Sequence, residues 1–554
     1  MAKTNKKMKK RRILITVLVI LLMILVSLGA YVFFFMEPKE NLSTMYLSSD
    51  TNVQYVLDEE LNEVSFVRGT EVSLSDHIKK IDDKKYYKLY INDNVYYLEN
   101  TDRLVSDIDD VVTLDSLYVY RDNTSYLSGD GSKISSFVRR GETVNISGYY
   151  GLNGDGSVDR YKTDKGYIYP KYLCESDDIP SEEYASYHRG IYSYDDGDGA
   201  SGMDYYPNEK PSFEDNIMPD EVKAIYINDK AIYELDDYID LAKYLGANTL
   251  VIDIRDSHII TVKLDAMKEY SPSSYEAGMF EKTEFKQMIQ KAKDAGLYLV
   301  ARITAFKDNN YALDHPEECI IDLSENAPLV YGEANWPTAY SRNMWEYNVE
   351  LSKECISDLG FNEIQYDYVR FPEQVDYYAD DLKILDLKNE YGESRSEAIE
   401  HFLMYAADEI HSVHGYLSAC VFGETSNSYV AAYGQYWPAI SNVVDVISPM
   451  PYPDHFNPHD FGISDAIVWE VPYRLMYAWG SQAKLRQAEI PTPARVRTWL
   501  QGYRAIREPK IYYDVNKVIE QIDGLKDAGL YDGFMVWNVL SDYELLRSYK
   551  EAFE

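Results

Sequence analysis

From Val222 onward, short apolar runs alternate with stretches in which apolar residues recur every three to four positions, the pattern of repeated βα units around a parallel sheet. Strands are predicted at Lys223–Ile227, Thr249–Ile254, Leu297–Phe306, Glu363–Val369, Leu417–Phe422, Val444–Pro449, Val496–Gln501 and Gly533–Trp537. Helices are predicted between them at Leu235–Leu245, Glu284–Ala295, Met344–Leu359, Glu397–Val413, Tyr473–Ala488 and Val515–Ala528. Helical stretches run into Gly246, Gly296, Gly360, Gly415 and Gly529, as left-handed helix caps require. Eight such units over 221–554 predict an α/β TIM barrel, (β/α)8, with loop insertions. No G-x-G-x-x-G follows the first strand, which argues against a dinucleotide fold.

The N-terminal half reads differently. Residues 1–12 hold a basic cluster, and 13–36 form an uncharged apolar run longer than the ~20 residues a transmembrane helix needs. The charge order predicts a single-pass anchor at the cell membrane, with 1–12 as a cytoplasmic tail and the bulk of the chain extracellular. A cleaved signal peptide is the competing reading, but Tyr31 to Met36 prolong the run past the small-residue site at Ser27-Leu28-Gly29. Residues 42–110 and 111–175 show short β-like runs and a weak internal repeat, Phe66-Val67-Arg68-Gly69 paralleling Phe137-Val138-Arg139-Arg140-Gly141. These predict small all-β modules. Residues 176–220 read as a linker, and Asp195-Asp196-Gly197-Asp198-Gly199 within it lacks the closing Glu of a calcium loop.

A formal net charge of −37 makes nucleic acid an unlikely partner. The 53 tyrosines suit strands and sugar-binding clefts equally. The four cysteines are widely spaced and suggest buried thiols. Asp454-His455 and His459-Asp460 lack a third ligand at recognisable spacing, so neither a metal nor a cofactor is expected.

Barrel active sites lie at the C-terminal strand ends, so the residues ending each run carry the chemistry. Alternation sends Val251, Asp253 and Arg255 inward on the second strand, and Gln365, Asp367 and Val369 inward on the fourth. Glu424 leaves the fifth on the parity of Cys420 and Phe422. Acetal cleavage needs one carboxyl as acid and a second as nucleophile or base, and Asp367, Glu424 and Asp253 are the candidates. An ion-pair role competes, because Arg255, Arg302 and Arg370 can neutralise them. Tyr452, Trp499 and Trp537 can form a platform for sugar rings, while His455, Gln501 and Asn538 are polar groups at the same rim.

The run Asn362-Glu363-Ile364-Gln365-Tyr366-Asp367-Tyr368-Val369-Arg370-Phe371-Pro372 resembles the hallmark of a bacterial family of glycosyl hydrolase barrels whose activity is inferred from their fold. Val251 to Asp256, Ala301-Arg302-Ile303, Val421-Phe422-Gly423, Gly434-Gln435, Asp445 to Pro453, Trp499-Leu500-Gln501 and Trp537-Asn538 agree with it. The resemblance implies a (β/α)8 barrel and a glycoside hydrolase; read from their places at the strand ends, Arg255, Arg302, Gln365, Arg370, Tyr452, His455, Trp499, Gln501, Trp537 and Asn538 are the candidate substrate-binding residues. The stretch from Leu117 to Leu173 resembles bacterial SH3-like modules, many of which bind cell-wall peptides; a spacer explains the same residues. Carboxylates ending strands four and five also resemble alpha-amylase-like barrels, which implies Asp367 as nucleophile and Glu424 as acid. Where those enzymes carry an Arg two residues before the nucleophile, this chain has Gln365, and Asp253 is the substitute acid. The expected activity is hydrolysis of a polysaccharide or cell-wall glycan. The alternative is a non-catalytic cell-envelope protein that binds glycan in the same cleft, and an esterase is disfavoured by the lack of G-x-S-x-G.

Overall fold

A computed structural model describes residues 18, 20–23 and 40–554, apart from 50, 58–59, 67, 82–83, 92–93, 109–110, 112–115, 122–123, 129–133, 139, 154–156, 176–189, 195–198 and 202. The chain divides into two compact units, one of residues 1–115 and 146–164, the other of 116–145 and 165–554. Most of the predicted anchor at 13–36 lies outside the described residues, as does most of the calcium-like loop. Among the described residues no helix is long and apolar enough to cross a membrane.

The first unit carries a seven-stranded antiparallel sheet built from Leu42–Leu47, Thr51–Leu57, Glu60–Phe66, Glu71–Ile81, Lys84–Ile91, Asn94–Leu98 and Leu104–Val105. Their order across the sheet is third, second, sixth, fifth, fourth, first, seventh. Leu47, Val53, Val72, Leu89 and Ile91 form its core. Its second element is the hairpin of Gly148–Leu152 and Val158–Lys162. The repeat seen in sequence therefore does not produce two copies of one module. The strands of 42–110 join one wide sheet, whereas in the second unit Leu117–Val119, Thr143–Val144 and Leu173–Cys174 make a separate three-stranded sheet and Ile134–Val138, which holds the second stretch's Phe137 and Val138, pairs with Thr124–Leu127.

Within the second unit those short strands dock on the barrel through a buried polar cluster. Arg121 pairs with Asp408 at 3.0 Å, Lys171 reaches the same carboxylate at 2.9 Å, and the Tyr169 hydroxyl donates to Glu409 at 2.8 Å. The described part of 176–220 is not a free linker either: Ala200, Met203 and Tyr205 are buried against Val430, Tyr436 and Ala439.

Eight parallel strands follow: β1 (Val222–Ile227), β2 (Thr249–Asp256), β3 (Tyr298–Thr304), β4 (Glu363–Asp367), β5 (Tyr416–Phe422), β6 (Val446–Met450), β7 (Arg495–Val496 with Thr498–Gln501) and β8 (Gly533–Trp537). Each pairs with the next, β8 pairs with β1, and β7 closes the ring by pairing its first part with β6 and its second with β8. Between those two parts Arg497 points its guanidinium at Glu363, 2.8 Å away in the barrel interior. Val222, Ala224, Val251, Val300, Cys420 and Met535 fill the inside. Leu250, Ile252, Ile254, Ile364, Leu417 and Val536 face the helical layer. Helices α1 (Leu235–Leu245), α2 (Lys282–Asp294), α3 (Arg342–Glu354), α4 (Arg395–His411), α5 (Trp437–Val443), α6 (Pro472–Gln487) and α7 (Val515–Ala528) supply that layer. Ser341 caps α3 by accepting the Met344 N–H, and Ser394 with Glu397 forms a capping box on α4. One predicted cap differs: after α4 the left-handed residue is His414, at φ 59°, and not Gly415. A Cβ on Gly415 would come within 2.7 Å of the Ile356 side chain, so close packing is what requires that glycine.

Candidate active site

Arg302 stands on the inward face of β3, almost fully buried, and joins carboxylates from both neighbouring strands. Its Nη1 lies 2.7 Å from Asp253 Oδ1 of β2, and its Nη2 lies 2.6 Å from Asp367 Oδ2 of β4, with Nε 3.2 Å from that same oxygen. Asp256 Oδ2 is 3.6 Å from Nη1 and is the most exposed of the three acids, at 33% against 4% for Asp253 and 11% for Asp367. The second oxygen of Asp253 accepts from the Tyr226 hydroxyl of β1, and the second oxygen of Asp367 accepts from the Tyr368 N–H at 2.7 Å. Two buried carboxylates thus share one guanidinium, an arrangement that holds them without leaving either charge alone in a low-dielectric setting.

Burial pushes Asp253 up to about 7; nearby Asp256 adds to this, and Arg302 and Tyr226 oppose it. Burial thus favours the neutral form of Asp253, the direction of shift that a general acid needs. Trp537 flanks the pair, its ring 4.4 Å from that of Tyr226 and 5.3 Å from the Arg302 guanidinium.

The chain leaves β4 by an unusual step. Tyr368 has φ 49°, a left-handed conformation costly for an aromatic residue and most often found at functional sites. It turns the ring toward Lys307, whose Nζ is 4.5 Å from the ring centre, and toward Trp336 at 6.0 Å. Arg370 follows, its guanidinium 5.0 Å from the Tyr368 ring and 4.6 Å from that of Phe422, with Glu373 bound at 3.1 Å.

Phe422 and Glu373 open onto a cleft of about 550 Å³ that also takes in Glu424, His455, Asp460 and Phe461. Glu424 sits in a 3-10 turn, Gly423–Ser426, with its carboxylate accepting from Tyr433 at 2.5 Å and Tyr429 at 3.2 Å. His455 is about half exposed; burial lowers its pKa below the ordinary 6.5, with Asp454 acting in the opposite sense. Gln435 ties the floor together, accepting from the Phe422 N–H at 3.0 Å and donating to the carbonyls of Val369 and Cys420.

The family described as "Putative glycosyl hydrolase domain" matches residues 224–543, which span the strands and loops that hold Tyr226, Asp253, Arg302, Asp367 and Glu424. The chain belongs to this family. No curated protein matches it. Among solved structures it is similar to a hypothetical protein from Ruminiclostridium thermocellum, at 25% identity over 35% of this chain and 96% of that one, with a TM-score of 0.29. It is also similar to the GH20 exo beta-N-acetylglucosaminidase from Vibrio harveyi (11% identity, 60% of this chain and 54% of that one, TM-score 0.39). A further match is the spore cortex-lytic enzyme SleL from Bacillus megaterium (11% identity, 61% and 75%, TM-score 0.37).

Several residues expected at the rim of this glycosyl hydrolase domain occupy other places. Arg255 does not reach the mouth, because the β2–β3 register shifts between Asp253 and Arg255 and reverses its side. It is sealed in the helical layer against Asp308 at 3.2 Å, Asn348 of α3 and the Tyr347 ring. Val369 likewise faces the helices, since the turn at Tyr368 ends the alternation. Gln365 points inward but lies below the mouth, donating to Ser448 at 3.1 Å, and Trp499 packs between Tyr226 and Trp537 as a core ring. Tyr452 is buried in the same interior cluster, with His455 edge-on at 5.3 Å. Gln501 and Asn538 are consumed by loop structure: Gln501 accepts from the Asp454 N–H, while Asn538 donates to the Gly502 carbonyl and accepts from the N–H groups of Leu540 and Asp542.

Asp454 is fully buried and accepts from Tyr503 and Ile506, which leaves it no role as a ligand beside His455. Among the described residues the group whose oxygen and nitrogen atoms fall within 4.8 Å of one another, as a metal would need, is His315, Glu317 and Glu318. Tyr226, Asp256, Tyr429 and Tyr433 enter the site without having been anticipated. Tyr226 was accessible to the same alternation that placed Asp253, since Ala224 and Tyr226 share the inward face of β1.

Proposed function

We propose that the barrel cleaves glycosidic bonds of a polysaccharide or cell-wall glycan by a two-carboxylate mechanism at the ends of β2, β3 and β4. The observation that carries this is the single arginine bridging Asp253 and Asp367, with Asp253 lifted to about 7 while its neighbour is held by Arg302 and a backbone N–H. In this reading Asp253 donates its proton to the leaving glycosidic oxygen as the bond to the anomeric carbon breaks. Asp367 then acts on the opposite side of the sugar, as nucleophile or as the base that takes a proton from the attacking water. Trp537 offers an apolar face to the sugar ring, and Glu424 on the cleft wall is the second candidate for acid. The apolar run 13–36 would tether this activity to the outer face of a membrane.

The decisive experiment incubates the full chain, wild type and Asp367→Asn, with cell-wall and exopolysaccharide preparations and counts new reducing ends. Release that disappears in the variant supports hydrolysis. Tight binding without release would favour a glycan-binding role, which has one specific observation on its side: both oxygens of Asp367 and both of Asp253 are already engaged in the free protein.

A further inference from the structure

The wall of the cleft carries a charge bias that acetal cleavage does not itself require. Glu373, Glu424 and Asp460 line it beside the neutral Asn427, Asn457 and Gln482, and no lysine or arginine is among the described lining residues. Glu373 has a cation partner in Arg370. Glu424 accepts from tyrosine hydroxyls and Asp460 from the Asn457 N–H, and among the described residues neither forms an ion pair. Arg507 stands nearby but directs its Nη1 to the Phe456 carbonyl at 2.6 Å and its guanidinium over the Trp469 ring. Aromatic faces complete the wall, with Phe456 and Phe461 edge to face at 5.4 Å and Phe422 and Tyr429 alongside Glu424.

An incoming uronate or phosphate would meet two uncompensated carboxylates in a partly enclosed cavity, where like charges repel more strongly than in bulk water. An ammonium group would be attracted by those same carboxylates and by the aromatic faces. We propose that this cleft, which borders the Asp253–Arg302–Asp367 site through Arg370 and on that reading holds the polysaccharide beside the bond to be cleaved, takes polysaccharides bearing free amino groups and rejects those bearing carboxylates or phosphates.

The test measures binding of the full chain to three matched beta-linked hexamers, of glucosamine, N-acetylglucosamine and glucuronic acid, at a pH where the amines are charged, at low and at high salt. The glucosamine hexamer is expected to bind at least about tenfold tighter than the glucuronate hexamer at low salt, with the gap narrowing as salt screens the cleft. Glu373→Gln combined with Asp460→Asn should narrow it further, with the N-acetylglucosamine hexamer little affected. Equal binding of all three, or tighter binding of the glucuronate, overturns the charge selection and leaves the hydrolase reading intact. Binding of none of them, together with no reducing-end release from any wall preparation, overturns both.

Discussion

Replacing Asp253 by asparagine preserves the volume of the side chain and an oxygen to accept from Arg302, puts an amide donor where an oxygen accepted from the Tyr226 hydroxyl, and removes the proton on which the mechanism depends. The carboxyl is raised from 3.8 to about 7, chiefly by burial. At 1.36 kcal/mol per pKa unit, ionising it in the folded chain is disfavoured by about 4 kcal/mol relative to the unfolded one. Because the raised value makes the folded state the tighter proton binder, Asp253 costs nothing below the unfolded pKa and progressively lowers stability as pH rises through about 7. Two results follow for Asp253→Asn. The decline in stability between about pH 4 and pH 8, followed by denaturant unfolding of the full chain, becomes shallower. On the kinetic side, kcat/KM for glycan cleavage falls by about 100-fold to 10,000-fold, the range for loss of a general acid, and the alkaline limb of the pH–rate profile near 7 disappears. A variant that keeps both the limb and a rate within a few-fold of wild type refutes the assignment, and Glu424 would then be the group to replace.

Arg255→Met leaves Asp308 buried without its partner, so it should destabilise the barrel by about 3–5 kcal/mol while kcat/KM per folded molecule stays unchanged; thermal melts paired with the reducing-end assay check both. Tyr433→Phe removes the 2.5 Å hydrogen bond to Glu424, and if that carboxylate takes part in catalysis or binding, kcat/KM should drop by about tenfold to 100-fold, the equivalent of about 1.5–3 kcal/mol for a bond to a charged group. Glu393 is opposed by its burial but held at about 2 by hydrogen bonding and charge from His401 and by the charge of Arg342. Its contribution, about 3 kcal/mol, is present above the unfolded value near 4.5 and is lost as pH falls through about 2, so Glu393→Gln should make acid unfolding between pH 5 and pH 2 shallower.

How far these residues were legible in the sequence depends on which geometric quantity a local pattern encodes. Alternation along a strand reports direction, and it placed Asp253 and Asp367 inside the barrel while Leu250, Ile252 and Ile364 went to the helices. It fails wherever the backbone departs from the regular pleat. The register shift before Arg255 and the left-handed Tyr368 each reverse a side chain, and neither leaves a mark in composition, since no glycine or proline stands at those positions. Height along the barrel axis is a second quantity, and no local period carries it. Gln365 and Asp367 share one face two residues apart, yet the first is sealed against Ser448 while the second, level with Thr304 at the last rung of β3 and β4, meets Arg302 and is, as a whole residue, 8% exposed. Partnership is a third. Arg302 meets carboxylates 49 residues before it and 65 after it, and only the closed sheet brings them together. In the tyrosine-rich N-terminal region the period marks strands but not their neighbours: the first stretch of the repeat entered a seven-stranded order, whereas of the second Thr143–Val144 pairs with Leu117–Val119, Ile134–Val138 with Thr124–Leu127, and Val158–Lys162 with Gly148–Leu152. Direction without height or partnership is enough to nominate a carboxylate. Only the latter two show that Asp253 is sealed between Arg302 and Tyr226, where burial raises its carboxyl to about 7, while Glu424 stands on the wall of the cleft.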